Sequence, residues 1–466
     1  MTHLVNCLQF EIQCPDEDMA LNVRHNFSQT YQEQITEVID RVCSKYVSEE
    51  ESIRIDKLEI DLGHFSSNFF ASEFAHVFLI KFEKELTEKL SEIPSGQREA
   101  SRQFSELELV QFFLQHGTLP WWADESKLDV DELTHRVIVT QQESLRQFFY
   151  NHRFNPALWR RVVLQLNNET KTLILLLFEE FIKAKSLLTL WIAQLSDRGV
   201  DPGICESIQQ NNAIQNILLN NASLLFRHSG NNRVVLNIFK NYVAEFVLGN
   251  AAAMSTINDA LSNMESNISL GGSGTALSPE EIETAHQDET LHDDLADKEE
   301  LKKYVVRHAG IIVLAPFLKP FFSELNLLDG SEWKNNDAQY KAIHLLKFLA
   351  TGQQKVPEYN LTLEKLLCGL AIEFPIPLDV VLGENEIKEA EVLLASVIGH
   401  WQALKNTSIN GFRETFLKRD GIITRTEKGW LLQVERKTLD VLLDSIPWGY
   451  STISVTWNSS IIFTEW

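Results

Sequence analysis

A strongly acidic stretch between Asn250 and Glu300 interrupts the hydrophobic pattern of this 466-residue chain. It holds about 12 acidic residues against one basic residue, Lys298, and it contains Gly271-Gly-Ser-Gly274. Few apolar residues and strong self-repulsion favour a solvated linker, although Ser278-Pro-Glu-Glu281 is typical of a helix start. We therefore predict separate folded regions on either side of a flexible, partly helical linker.

These patterns predict four regions along the chain. The first is an N-terminal α+β module over residues 1–124. A central helical region follows over 125–250, and the acidic flexible linker covers 251–300. A C-terminal α+β module takes up residues 301–466.

The N-terminal residues alternate between strand and helix patterns. Leu8–Ile12 and Ile53–Leu62 carry apolar residues at every second position, which is typical of half-buried strands. The apolar phase shifts near Asp56-Lys57, which predicts a bulge or bend. Val23–Tyr46 and Phe70–Leu90 carry apolar residues at spacings of three and four, which predicts amphipathic helices. A β-α-β-α unit is expected here.

Helical patterns dominate the chain from Glu106 to about Leu417, apart from the linker. The central helices are predicted over Leu145–His152, Leu158–Leu166, Leu173–Leu195 and Val234–Leu248. The fold class is therefore mainly α, with small α+β modules at both ends.

The residues after Leu417 change to strand patterns. Alternation on either side of Thr426-Glu-Lys-Gly429 predicts a hairpin, and a short helix is predicted over Leu439–Ser445. Ile453–Trp457 and Ile461–Trp466 predict two further strands that pair with each other. We expect C-terminal helices followed by a hairpin-rich end.

Charge and cysteine content disfavour several classes of function. The net charge of −23 works against nucleic-acid binding, because phosphates must be neutralised by basic side chains. Five cysteines without a CxxC pair favour free thiols in a reducing compartment. The N-terminus has no secretory signal pattern, so we expect cytoplasmic synthesis. Charged residues or prolines interrupt Thr172–Leu195 and Ala309–Phe322, so neither apolar tract is suited to span a bilayer.

Three groups of residues could carry chemistry, and each has a plainer explanation. Gly271–Gly274 lacks the preceding strand and following lysine of a phosphate loop, so a linker is favoured. His286 and His292 lie in an acidic sequence that could ligate a divalent metal, but a solvated stretch is favoured. The third group comprises Cys7, Cys14, Cys43 and His25.

That third group could converge on a metal or form a reactive thiol if the first strand packs on the first helix. Buried free cysteines are the favoured interpretation. None of the common hydrolase, zinc-protease, phosphate-loop or dinucleotide motifs occurs in the sequence. We therefore predict no enzyme, no cofactor and no metal site.

Candidate partner-docking residues lie in two places. Charged residues occupy the outward face of the second predicted strand, where a solvated ladder is the alternative to a docking edge. Tryptophans at the ends of segments could anchor a partner or another copy of the chain, although core packing is their usual role. The candidates are Arg54, Asp56, Lys57, Glu59, Asp61, Trp121, Trp122, Trp448, Trp457 and Trp466.

Several of these pieces resemble the contractile injection system tape measure protein family. Ile53–Gly63 between two helices, followed by Gly117-Thr-Leu-Pro-Trp-Trp-Ala123, resembles the N-terminal part of that family. The pieces that resemble its C-terminal part are Ala309–Leu318, Ala342–Gly352, Pro357-Glu-Tyr, Lys365–Gly369, His400–Ser408, Arg413–Arg419, Gly429–Glu435 and Leu442–Gly449. The central stretch carries no motif of the family. Val455-Thr-Trp-Asn458 stands where the family tends to have a second Pro-Trp-Met.

The resemblance implies a protein that helps a phage-tail-like particle assemble and that fixes tube length from inside the tube lumen. Its implied partners are the inner tube and the baseplate or initiation complex, and self-association is left open. The protein would be cytoplasmic during assembly and then lie inside the particle. The alternative is a membrane-active or baseplate-associated assembly factor of the same particle, because Leu173–Leu195 could insert into a membrane once released from its packing.

Overall fold

The computed structural model describes residues 5, 8–17, 20–21, 32–46, 53, 55, 57–65, 70–92, 95–123, 125, 128–198, 200, 203, 205–206, 211–229, 231–247, 257–262, 265 and 302–466. The chain forms two compact units. The first unit is drawn from Met1–Val110 and Pro120–Leu128, and the second from Gln111–Leu119 and Asp129–Trp466. Helices dominate the described residues, as the sequence predicted.

The α-helices are numbered in chain order. The helices up to the acidic stretch are α1 (Gln32–Tyr46), α2 (Phe70–Glu92), α3 (Ser95–His116), α4 (Val130–Thr140), α5 (Gln142–Asn151), α6 (Pro156–Gln165), α7 (Asn168–Leu176), α8 (Glu179–Asp197), α9 (Asn211–Asn220), α10 (Ala222–Arg227) and α11 (Asn232–Val247). The later ones are α12 (Ala315–Glu324), α13 (Asn336–Thr351), α14 (Thr362–Leu367), α15 (Glu384–His400) and α16 (Ile409–Phe412).

The core of the first unit lies between α1 and α2. Ile35, Val38 and Val42 of α1 are buried against a row of α2 side chains spaced four residues apart. Phe74, Phe78 and Phe82 of that row stack in sequence, with ring centroids 6.1 and 5.5 Å apart. The predicted period of three and four residues therefore marks the buried faces of both helices.

The two strands predicted in the N-terminal unit are not paired strands among the described residues. Residues 8–14 and 57–65 form no strand in the structure. Phe10, Leu58 and Ile60 nevertheless pack against the α1–α2 core, so the alternating pattern correctly identified the buried face. The pattern reports which side chains are apolar. It does not report whether a neighbouring backbone supplies the hydrogen bonds of a ladder.

The central helices follow the predicted patterns with one difference. The tract predicted as one helix over Leu173–Leu195 is broken, because α7 ends at Leu176 and α8 begins at Glu179. Phe178 lies at the break and packs edge-on against Phe181 and Phe226. No helix among the described residues is long and apolar enough to cross a bilayer.

A five-stranded sheet closes the second unit. Its strands are β1 (Lys303–Val306), β4 (Gly421–Thr426), β5 (Gly429–Val434), β6 (Thr452–Val455) and β7 (Asn458–Glu465), in the spatial order β1-β4-β5-β7-β6. The pairs are antiparallel except for β5 and β7, which are parallel. A separate small hairpin pairs β2 (Leu328–Asp329) with β3 (Glu332–Trp333).

The predicted C-terminal elements are largely present in this sheet. The hairpin around Thr426–Gly429 is β4–β5, and the last two predicted strands pair as β6–β7. The short helix predicted over Leu439–Ser445 is a 3-10 helix over Thr438–Ser445. Strand β1 was not predicted, because only four residues pair with β4 and they give too short an alternation to recognise.

The predicted region boundaries at residues 124, 250 and 300 stay predictions. The Gly271–Gly274 sequence lies outside the described residues, as do His286, His292, Cys7 and His25. Cys14 and Cys43 are half-buried free thiols in the first unit, and Cys368 is a buried free thiol in the second.

Helix α13 forms the centre of the C-terminal core. Residues from Ala342 to Ala350 are buried all round the helix. The Asn335 side chain accepts a hydrogen bond from the Ala338 N–H at 2.8 Å and caps its start. Gly352 ends the helix in the left-handed conformation, with φ of 74° and a bond from its N–H to the Phe348 carbonyl.

Gly310 marks a close approach of two backbone segments in this core. It lies in a 3-10 helix over Ala309–Leu314, and a Cβ atom there would fall 1.6 Å from the Phe416 carbonyl oxygen. Because that neighbour is backbone, a side chain at position 310 would force the two segments apart.

We expect Gly310→Ala to lower the free energy of unfolding by about 3 kcal/mol through this overpacking. The matched control is Gly399→Ala in α15, where a Cβ meets nothing within 4 Å. That change should raise stability by about 0.5–1 kcal/mol because alanine is the better helix former. Urea denaturation followed by circular dichroism gives both values, and equal effects of the two substitutions would contradict the prediction.

Candidate docking residues and a buried charged cluster

The predicted docking strand contributes an exposed charged face to the first unit. Lys57 and Glu59 form an ion pair at 2.5 Å with both side chains largely exposed. Asp61 is exposed as well and accepts a hydrogen bond from the Gly63 N–H at 2.9 Å. Arg54 and Asp56 lie outside the described residues. Solvent-exposed pairs of this kind contribute little stability, so these side chains can exchange partners at little cost.

Trp121 and Trp122 follow a tight turn in the first unit. The Ala123 N–H donates to the Pro120 carbonyl at 3.0 Å, and this bond closes the turn. The side chain of Trp121 is 42% exposed, whereas Trp122 is half-buried. Trp121 is thus the more accessible of the two candidates.

The three C-terminal tryptophans are held within the second unit. The indole N–H of Trp457 donates to the Leu367 carbonyl and that of Trp448 to the Val313 carbonyl, each at 2.9 Å. Trp466 donates to Asp440 Oδ2 at 3.0 Å. Trp457 is buried, while Trp448 and Trp466 are half-buried against the core. The structure gives all three a packing role, and their docking role stays a prediction.

A buried charged cluster of Arg161, Glu358 and Lys365 lies inside the second unit. The Arg161 and Glu358 side chains are completely buried, and Arg161 Nε lies 3.2 Å from Glu358 Oε2. Lys365, also buried, donates from Nζ to Glu358 Oε1 at 2.6 Å. One carboxylate is therefore shared by two cations out of contact with bulk solvent.

Backbone carbonyls complete the hydrogen bonding of these cations. Arg161 Nη1 donates to the Leu114 carbonyl at 2.7 Å, and Nη2 donates to the Glu373 carbonyl. Lys365 donates to the Ile372 carbonyl at 3.1 Å. A buried ion pair is tolerated when its remaining donors are satisfied in this way. The cluster thereby joins the end of α3, helix α6 and the segment around α14.

The cluster carries two positive charges against one negative charge when all three groups are ionised. Burial lowers the pKa of Lys365, and the nearby Glu358 carboxylate opposes that effect. Removing the carboxylate would leave two buried cations without their common partner. Glu358 is thus the residue on which both ion pairs depend.

Two sequence pieces that carry the family resemblance meet at this cluster. Gly117 has a φ of 68°, and a Cβ atom there would lie 2.6 Å from Glu358 Oε1 and 2.7 Å from Arg161 Nη2. Both the left-handed conformation and the lack of space require glycine at this position. Pro357-Glu-Tyr supplies Glu358 from the other side. The Gly117 piece and the Pro357 piece are therefore linked through Arg161.

A second buried set of charged groups lies nearby, formed by Lys347, His308 and Glu364. Lys347 Nζ donates to His308 Nδ1 at 2.8 Å and to the Asn360 carbonyl at 3.0 Å. Burial and the adjacent Lys347 ammonium lower the pKa of His308 to about 2, so its imidazole is neutral and accepts the hydrogen bond. Burial raises the pKa of Glu364, against the opposing effect of Lys347.

The sequence pattern did not predict these buried charges. Arg161 follows Leu158 by three residues and precedes Val162, so it lies on the apolar face of α6. Lys347 likewise falls within the apolar run of α13. A cation on an apolar helix face is the signal that could have predicted them. Among the described residues, no group of three or more His, Cys, Asp or Glu side chains could hold a metal ion.

Comparison with protein families gives a match over nearly the whole chain. A family model described as contractile injection system tape measure protein matches residues 2–466. Searches of curated proteins and of solved structures find no match. The family match covers the central stretch as well as the pieces that carry the resemblance.

We expect Glu358→Ala to lower the free energy of unfolding by about 3–5 kcal/mol, because it leaves Arg161 and Lys365 buried without their common carboxylate. Glu143→Ala is the matched control, since Glu143 forms an exposed pair with Arg146 at 2.9 Å. The control substitution should lower the free energy of unfolding by at most about 1 kcal/mol. Urea denaturation of both variants measures the difference.

The triple variant Arg161→Met, Glu358→Leu, Lys365→Met tests whether unpaired buried charge causes the loss of stability. Removing all three charges together should restore most of the loss, because no unpaired buried charge remains. A triple variant that is no more stable than Glu358→Ala would show that packing, and not charge, accounts for the effect.

A pH dependence follows from His308. Its folded-state pKa of about 2 lies below the ordinary value of 6.5, so its contribution to stability is present above pH 6.5. That contribution falls as the pH drops from 6.5 toward 2, by about 1.4 kcal/mol per pH unit. Between pH 7 and pH 5, wild type should lose about 2 kcal/mol more than His308→Gln does. Urea denaturation at both pH values measures this difference, and His400→Gln at an exposed position should match wild type.

Proposed function

The chain belongs to the contractile injection system tape measure protein family, and on that premise we propose that it sets tube length during assembly of such a particle. Tape measure proteins lie inside the injection particle. The proposed partners are the inner tube and the baseplate or initiation complex. The observation that carries the proposal is the family match over residues 2–466.

Setting a length requires an end-to-end distance that the chain itself determines. As one continuous helix, 466 residues would reach about 700 Å at about 1.5 Å per residue, and a fully extended chain roughly twice that. Residues 123–300 alone would reach about 270 Å as a helix. The length that the protein can set therefore depends on how much of it unfolds in the tube.

The buried charged cluster limits which part of the chain can extend. Arg161 in the central helices forms a buried ion pair with Glu358 in the C-terminal half. The central helices can extend away from the C-terminal residues only if these bonds break. Two modes of action follow: either these bonds break and the residues before 302 extend while the residues after 302 stay folded, or the whole second unit unfolds.

In the proposed arrangement the folded ends dock and the residues between them span. In the first unit, the exposed pair Lys57–Glu59 and the side chain of Trp121 offer contacts for one partner. In the second unit, Trp448 and Trp466 offer half-buried rings. These docking roles rest on exposure and residue type.

Insertions test the length-setting role and separate the two modes of action. About 20 residues of helical sequence inserted after Gly271 should lengthen the particle by about 30 Å if they are helical, and by roughly 70 Å if extended. The matched control is the same insertion at Gly330, in the turn of the small hairpin, where nothing lies within 4 Å of a Cβ atom. Particle length is measured by electron microscopy.

Comparing the particle lengths obtained with the two insertions shows which part of the chain extends. A change with the first insertion alone indicates that the residues before 302 extend while the residues after 302 stay folded. Equal changes with both insertions indicate that the second unit also extends. Unchanged length with both insertions would remove the length-setting role. Leakage of dye from liposomes by the purified protein would then favour the membrane-active alternative.

A further inference from the structure

An exposed patch of two aromatic rings and two guanidinium groups lies on the central helices. We call it the aromatic–arginine patch, and it comprises Tyr150, Arg153, Phe154 and Arg227. The guanidinium carbon of Arg153 lies 4.2 Å from the Tyr150 ring centroid and 4.5 Å from that of Phe154. The guanidinium of Arg227 lies 5.8 Å from the Phe154 centroid. Tyr150 and Phe154 are 44% and 48% exposed.

The patch is held in place by the buried core beneath it. The Arg153 carbonyl accepts hydrogen bonds from the buried Trp159 indole at 3.0 Å and from Ser223 Oγ at 3.3 Å. Arg153 Nη1 donates to the Tyr150 carbonyl at 2.7 Å. These bonds fix the turn after α5 against α10, so the rings and guanidiniums are preorganised for binding.

The two arginines of the patch have no acidic partner among the residues that the structure describes. Neither Arg153 nor Arg227 forms an ion pair with any carboxylate of the described residues, although the chain carries a net charge of −23. Nearby Arg146, by contrast, is paired with Glu143. Stacked arginines beside exposed aromatic rings are typical of binding surfaces. The chemistry of the patch fits a ligand that combines carboxylates with aliphatic groups.

We propose that the aromatic–arginine patch binds this chain's own acidic segment, Thr290–Glu300. That segment is rich in acidic residues and also holds Leu291 and Leu295. Its carboxylates match the free N–H groups of the guanidiniums, and its leucines match the exposed rings. This inference does not depend on the length-setting role.

Both flanks of the acidic segment belong to the same compact unit as the patch. On one side, Glu265 pairs with Lys240 of α11 at 2.9 Å, and α11 begins five residues after Arg227. On the other side, the Tyr304 hydroxyl of β1 donates to Glu373 Oε1 at 2.6 Å.

Phe374, the residue after Glu373, contacts the helix that begins just after the patch residue Phe154. Phe374 lies 5.2 Å from the guanidinium of Arg160, in the helix that follows Phe154. Residues 266–301 could span about 120 Å if fully extended. A segment tethered at both ends meets the patch at high effective concentration, which favours it over other acidic ligands.

Photo-crosslinking tests the proposal in the full chain. The probe is p-benzoylphenylalanine at position 151, in place of the exposed Asn151 beside the patch. The protein is an equal mixture of light and isotopically heavy copies, and mass spectrometry maps the cross-links after irradiation. We expect cross-links to residues 290–300 within the same copy.

The variants tie the cross-link to the patch. The pair Arg153→Ala, Arg227→Ala should reduce its yield about fivefold, and so should an increase in salt from about 0.1 M to about 1 M. Arg146→Ala should leave the yield unchanged. On the segment, Asp293→Asn, Asp294→Asn and Asp297→Asn together should reduce it. Glu280→Gln, Glu281→Gln and Glu283→Gln together should have little effect. Thermal unfolding checks that each variant folds. If the double variant Arg153→Ala, Arg227→Ala does not fold, the single variant Arg227→Ala replaces it in the cross-linking experiment.

Several outcomes would overturn the proposal. A yield that does not respond to the arginine substitutions would separate the cross-link from the patch. Cross-links between light and heavy copies would assign the segment of a second copy as the occupant. No cross-link to residues 290–300, together with cross-linking of an added polyglutamate peptide, would assign an acidic segment of another protein. Absence of both cross-links would remove the patch as a site for acidic ligands.

Discussion

The sharing of one buried carboxylate by two cations is the constraint on which the second unit depends. Glu358 receives Arg161 from the central helices and Lys365 from α14, and all three side chains are shielded from water. Moving charges out of water costs several kcal/mol for each ion, so the cluster is stable only while all of its partners are in place. It therefore fixes the relative position of its helices more strictly than apolar contacts would, since those tolerate small shifts. Gly117 belongs to the same constraint, because no side chain fits between Glu358 and Arg161.

Apolar periodicity predicted much of the fold because it reports which face of an element is buried. The α2 stripe and the β4–β5 hairpin follow directly from the spacing of their apolar residues and from the turn at Thr426–Gly429. The N-terminal alternation correctly predicted which side chains are buried, but the strands that it predicted are not present among the described residues. Strand pairing requires a partner edge that lies elsewhere in the chain, and alternation does not report it. The break between α7 and α8 was missed because the apolar pattern runs through it without a proline or glycine.

Less of the candidate site could be predicted. Tryptophans and exposed charges were singled out by residue type alone, and the structure gives Trp457 a buried position in the core. Arg161, Glu358 and Lys365 were not singled out, because each is an ordinary charged residue until three distant segments meet. Periodicity is a local property, whereas a buried ion cluster depends on contacts such as the one between residues 161 and 358. The aromatic–arginine patch was missed for the same reason, since Arg227 reaches Phe154 only through the packing of α10 on α6.

The order of strands in the five-stranded sheet has a consequence for how the sheet folds as the chain is synthesised. Strand β7, the last in sequence, occupies an interior position between β5 and β6. A ribosome delivers β1, β4, β5 and β6 before it delivers β7, so the edge of β5 stays open until residues 458–465 have emerged from the exit tunnel. Pairings across long sequence separations also form slowly, because a large loop must close first. Until then the edge of β5 presents unpaired backbone N–H and C=O groups, which could pair with another chain.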